Sequence, residues 1–113
     1  MKIDHYSFGK IVINSKTYTS DVIICPDSVD SSWWRKEGHY LQPIDLDKAV
    51  SAKPDLLIIG TGYSGVMVVP EETILFIKSK NIEVLVERTE KATELYNALS
   101  KDRKVIAALH LTC

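Results

Sequence analysis

The hydrophobic pattern changes character partway along the chain. In the first quarter, β-branched runs at Ile11-Val12-Ile13 and Val22-Ile23-Ile24 are separated by turn-prone Asn14-Ser15-Lys16. An earlier turn at Phe8-Gly9-Lys10 follows Ile3 to Ser7. This segment predicts an antiparallel hairpin or meander, followed by a loop from Pro26 to Ser32. After Pro43 the spacing becomes helical: Leu46, Ala49 and Val50 recur behind Asp45 as N-cap, and Pro54 closes the segment.

From there strands and helices alternate. Leu56-Leu57-Ile58-Ile59 is apolar at every position and ends at Gly60, as expected of a strand covered on both faces. Val66 to Val69 offers a further short strand. Pro70 then opens a helix with Glu71 and Glu72 in its first turn, an apolar face of Ile74, Leu75 and Ile77, and a left-handed stop at Asn81. Ile82 to Val86 predicts a strand. Thr89 is placed to cap a helix whose inner face carries Ala92, Leu95, Tyr96 and Leu99. Val105 to Leu111 supplies a last apolar strand. Such alternation predicts an α/β fold with a largely parallel sheet and right-handed crossovers.

Composition narrows this picture only a little. A chain of 113 residues, 45% hydrophobic and 26% charged, is expected to form one domain over 1–113. Fourteen basic against fifteen acidic residues leave a net charge of −1 and no basic stripe, which argues against nucleic-acid binding. No apolar run approaches the ~20 residues of a membrane span, and the opening Met1 to Tyr6 does not read as a signal or transit peptide. Two distant cysteines, Cys25 and Cys113, predict reduced thiols in the cytoplasm rather than a disulfide framework.

Several motifs have simpler readings beside the chemical ones. Gly60-Thr61-Gly62-Tyr63-Ser64-Gly65 spells the dinucleotide fingerprint directly after a strand, but extended chain follows where a helix is needed. A glycine turn requiring positive φ is the better reading, and no cofactor is expected. Ser64, Asp102 and His110 occur in the order of a hydrolase triad, yet Val66 stands where the nucleophile elbow needs glycine. His110 and Cys113 make one loose pair, too little for zinc, so no metal is expected. His5 and His39 have no evident partner. Trp33 and Trp34, beside Arg35 and Lys36, suggest one core ring and one partner contact.

Topology gives a stronger pointer, because ligands of parallel sheets gather at the carboxyl ends of the strands. Those ends predict a shared rim built from Gly60, Thr61 and Gly62, then Arg88 and Thr89, then His110 and the residues after it. A helix starting near Thr89 would turn backbone N–H groups toward that rim and favour an anionic group there.

As an ordered set, Tyr6-Ser7-Phe8-Gly9, Trp34 with His39, Gly60-Thr61-Gly62, Thr89-x-x-Ala92-x-x-x-Tyr96-Asn97-x-Leu99, Arg103-x-Val105 and Ala107 to Cys113 carry a resemblance. The chain resembles the small-domain family that includes the adipogenesis-associated domain protein and a mitochondrial complex I assembly factor. That resemblance implies a three-layer α/β domain with a mixed central sheet, and it brings no catalytic residue with it. The expected function is a binding or assembly module that contacts a protein partner or small anionic ligand at the rim. The alternative is a small enzyme using Glu87, Arg88 or His110 for acid–base chemistry at the same rim.

Overall fold

The computed structural model describes residues 1–113. Eight strands run along the chain: β1 (Ile3–Ser7), β2 (Lys10–Ile13), β3 (Lys16–Tyr18), β4 (Val22–Cys25), β5 (Ser28–Asp30), β6 (Leu56–Gly60), β7 (Glu83–Glu87) and β8 (Val105–Leu109). A 3₁₀ turn (Pro43–Leu46) leads into α1 (Asp47–Ser51); α2 (Glu71–Ser79) and α3 (Thr89–Leu99) follow. The first three strands form an antiparallel meander. The other five form the central sheet in the order β5-β4-β8-β6-β7. Within it β8, β6 and β7 are parallel, β4 is antiparallel to β8, and β5 is antiparallel to β4. Only β4 therefore runs against the rest, giving the largely parallel sheet that the alternation predicts, mixed as the family resemblance implies.

The layers follow from side-chain alternation. On β4, β6 and β8, Ile23, Leu57, Ile59, Ile106 and Ala108 face one core with Trp33, Leu41, Leu46 and Ile77. Val22, Leu56, Ile58, Val105, Ala107 and Leu109 face the other, under α3 and the meander. Both faces are covered, so these strands need apolar residues at every position.

Several expectations are corrected here. Val22 to Cys25 does not belong to the meander: all four residues are buried, and the strand joins the central sheet. Lys16–Tyr18 takes the third place in the meander instead, after a turn in which Asn14 and Ser15 both have positive φ. The expected loop at Pro26–Ser32 contains β5, which forms a hairpin with β4. Val66 to Val69 is not a strand; only Val68 makes an isolated bridge, to Tyr40. Asp45 is not the cap of α1: its carboxylate receives the backbone N–H groups of Lys36 and Gln42 around the 3₁₀ turn. Pro70 sits one place before the first turn of α2, as its N-cap. On α2 the buried residues are Thr73 and Ile77, while Leu75 is 57% exposed. β7 lies at the sheet edge with Glu83, Val86 and Glu87 exposed, so it is less buried than its apolar run suggests. His110 and Leu111 lie beyond the end of β8, as a tail.

Candidate functional site

The register of the parallel strands puts Leu109, Gly60 and Glu87 in one row. The segments leaving β6, β7 and β8 therefore emerge together, and they are stitched to one another. His110 N donates to Gly60 O at 3.0 Å, and Thr89 N donates to Gly62 O at 3.1 Å. The Thr89 hydroxyl accepts from Gly62 N at 2.8 Å and donates to His110 O at 2.6 Å. Thr61 donates to Glu87 O through both its backbone N–H and its hydroxyl. Thr89 does not cap α3 as its sequence position suggests. It is the first helical residue, its hydroxyl is spent across the rim, and Arg88 occupies the cap position with no side-chain cap bond.

Two glycines make this stitching possible. A Cβ on Gly60 would sit 2.8 Å from both Leu109 Cδ2 and Thr89 Oγ1. Gly62 has φ +109°, and a Cβ there would collide with Thr112 O and lie 2.6 Å from the Cys113 carbonyl carbon. The turn thus serves backbone geometry, and the next helix begins only at Glu71, as the simpler reading of the fingerprint requires.

Outside this knot lies an exposed face of aromatic and charged side chains. Arg88 Nε and Nη2 both donate to Tyr63 O, at 3.2 and 2.7 Å, so the side chain is held at the surface. Phe8 packs edge-on against Tyr63, with ring centroids 5.8 Å apart. Tyr63, Arg88, Glu90 and Lys91 line a small hollow of about 180 Å³ beside the start of α3. Tyr6 lies beneath, its hydroxyl donating to Leu111 O at 2.8 Å, and burial pushes its pKa up to about 12.

A second cluster, less legible in the sequence, surrounds His110. Because β4 runs against β8, its amino end reaches this same rim, with Val22 opposite Leu109. That brings in Asp21. Its Oδ1 accepts from Leu111 N at 2.7 Å, and its Oδ2 lies 2.8 Å from both His110 Nδ1 and Arg35 Nη2. Burial raises the Asp21 pKa, but the bonds from His110, Leu111 and Arg35 outweigh it and hold the carboxyl below the ordinary value of 3.8. Arg35 also donates from Nε to Gly38 O at 3.0 Å, and its guanidinium stacks 4.6 Å from the Trp33 ring centroid. His39 packs its ring against His110, with centroids 5.4 Å apart. The carboxylate partner of His110 is therefore Asp21. Asp102 lies before β8 and so at its opposite end from His110. The antiparallel β4 is the missed signal: a β4 placed in the meander hides Asp21 from the rim.

The two tryptophans divide as their neighbourhood suggests. Trp33 is buried and donates from Nε1 to Asp45 O at 2.9 Å. Trp34 is 76% exposed and, with Ile44, borders a broad groove of about 610 Å³. Cys25 is buried and Cys113 exposed, both free thiols. No three His, Cys, Asp or Glu side chains gather into a group able to hold a metal. No helix is long and apolar enough to cross a membrane.

Fold and rim together define a small three-layer α/β domain whose strand-end segments are locked into one knot. The chain belongs to a family described as protein of unknown function (DUF498/DUF598), whose pattern matches residues 3–110. It is similar to conserved hypothetical protein PH1505 from Pyrococcus horikoshii OT3, with 27% identity over the full length of both chains and a TM-score of 0.85. It is also similar to a structure named MT938, with 28% identity over 99% of this chain and 98% of that one, and a TM-score of 0.79. A Bordetella pertussis protein described as a Mth938-like domain shares the fold at 18% identity over 97% and 85% of the two chains, with a TM-score of 0.68. The resemblance carried by the sequence motifs holds at the level of the family.

Proposed function

We propose that this domain is a binding or assembly module, and that Arg88 and Tyr63 form its contact with a protein partner or a small anionic ligand. The observation that carries this reading is the paired donation of Arg88 to the Tyr63 backbone carbonyl, which fixes a cation at the surface in a hollow that Tyr63 also lines. The uncapped start of α3 adds partial positive charge on the same side. Gly60, Thr61, Gly62, Thr89 and His110 shape the rim beneath, and Trp34 offers a further exposed ring for a protein partner. Affinity capture followed by mass spectrometry tests the reading, comparing wild type with Arg88→Ala and Tyr63→Ala. Species held by wild type and lost by both variants support it; identical capture by all three removes Arg88 and Tyr63 from the site.

One observation favours a second reading, a small enzyme using the same rim. Asp21 Oδ2 against His110 Nδ1 is the arrangement by which a carboxylate orients an imidazole for acid–base work. Turnover of an anionic substrate that is abolished by His110→Gln and spared by Trp34→Ala would support the enzyme over the binder.

A further inference from the structure

We propose that Arg35 and His110 form a concealed oxyanion-binding site, with Asp21 orienting both and His39 as its movable cover. The starting observation is a pair of orphans. Arg35 and His110 have side chains only 5% and 6% exposed, yet no atom bonds to Arg35 Nη1 or His110 Nε2. Buried polar groups are nearly always paired, and two such atoms on neighbouring side chains call for a partner.

The hydrogen-bond inventory indicates which kind. Asp21 accepts from Leu111 N through Oδ1 and lies against His110 and Arg35 through Oδ2, and neither free group is within hydrogen-bond reach of it. His110 Nδ1 lies 2.8 Å from Asp21 Oδ2, which only accepts, and 3.1 Å from Arg35 Nη2, which only donates; in the tautomer that serves Asp21, Nδ1 carries the proton. Nε2 is then a lone pair in the neutral ring and an N–H donor in the charged one. Arg35 Nη1 is a donor in every state. A ligand satisfying Nη1 must accept hydrogen bonds, and an oxyanion does so while balancing charge. Asp21 neutralises one cation of the pair Arg35 and charged His110, and the ligand neutralises the other. In the imidazolium, Nε2–H joins Arg35 Nη1 as a second donor to the oxyanion. The ionisable groups around His110 are Asp21, Arg35 and His39, with Tyr6 of β1 interacting with Asp21 and Cys113 of the tail close to the His110 Cδ2 edge at Gly62; the Gly60–Gly62 turn and Thr89 bring none.

Entry is set by what can move. On one side Gly62 is tied to Thr89 through both its N–H and its carbonyl. On the other, the His39 ring is exposed and makes no hydrogen bond, so it can swing aside without breaking one. Arg88 takes no part, so this site and the surface contact fail or succeed independently.

The test is a titration of the ¹⁵N-labelled protein with sodium acetate and, separately, inorganic phosphate, at matched ionic strength. Saturable shifts at His110 Nε2 and the Arg35 guanidinium are expected, with tighter binding in His39→Ala. Response to acetate alone marks a planar carboxylate site, and response to phosphate alone a tetrahedral one. Arg35→Lys keeps a charge against Asp21 but withdraws Nη1, and should weaken binding about tenfold or more. Absence of any saturable shift at His110 in both wild type and His39→Ala would overturn the proposal, whether or not the Arg35 variant folds. Undiminished affinity in a folded Arg35→Lys would overturn it too.

Discussion

Asn97 of α3 holds Ile3 of β1 by both ends of its amide: Oδ1 accepts from Ile3 N at 2.9 Å, and Nδ2 donates to Ile3 O at 2.8 Å. The side chain thus imitates a neighbouring strand and ties the meander to the helix that covers the sheet. Asn97→Ala would leave both backbone groups of Ile3 without these partners. A loss of about 1–3 kcal/mol is expected, read from the midpoint of a urea melt. Asn97→Asp should be comparably damaging, since it sets a carboxylate oxygen against Ile3 O.

Acid stability should depend on Asp21. Its carboxyl binds a proton more weakly in the folded chain than in the unfolded one. The stabilisation is therefore complete above the unfolded value near 3.8 and declines as pH falls through that value toward the lower folded one. Between neutral and strongly acid pH, wild type should lose more stability than Asp21→Asn. Parallel stability–pH curves for the two proteins would refute this.

Replacing Gly62 should cost stability before it tests binding. Gly62→Val imposes a β-branched residue on φ +109° and drives Cβ into the Thr112–Cys113 backbone. About 2 kcal/mol or more is expected from the backbone strain, with the tail displaced. Loss of the Tyr63 N–H to Thr112 O bond, 3.1 Å in the structure, should appear as faster hydrogen exchange at Tyr63.

Two leucines test the layer assignment. Leu57→Ala, at a fully buried site in the interior strand β6, should cost about 2–5 kcal/mol. Leu75→Ala, on the outer side of α2, should stay within about 0.5 kcal/mol. Similar losses at both positions would show that α2 presents a different face to the sheet.

The legible parts of the sequence are those where burial leaves one pattern available. Leu56–Gly60 and Val105–Leu109 are buried at every position, and the helical spacing of Ala92 and Tyr96 identifies the inner face of α3. Leu75 and Thr73 show where hydrophobic spacing misleads: α2 covers the sheet near its edge, so a threonine whose hydroxyl bonds Leu41 O at 2.8 Å is buried in place of a leucine. The rim is readable because parallel strands end on one side. Asp21 and Arg35 are not, since one arrives on the reversed strand and the other through an irregular segment whose path depends on distant contacts.

The position of β8 has a consequence for how the chain assembles. It is the last of the eight strands to be made, yet it lies between β4 and β6. Until it emerges from the ribosome, β4 with β5 and β6 with β7 are two ribbons without a common neighbour, each leaving long apolar edges unpaired. A nascent chain stalled before Val105 should therefore be a good client for chaperones and a poor target for conformation-specific antibodies. Release of the last strand converts both ribbons into one sheet in a single late step, with the slow kinetics expected when pairing spans most of the sequence.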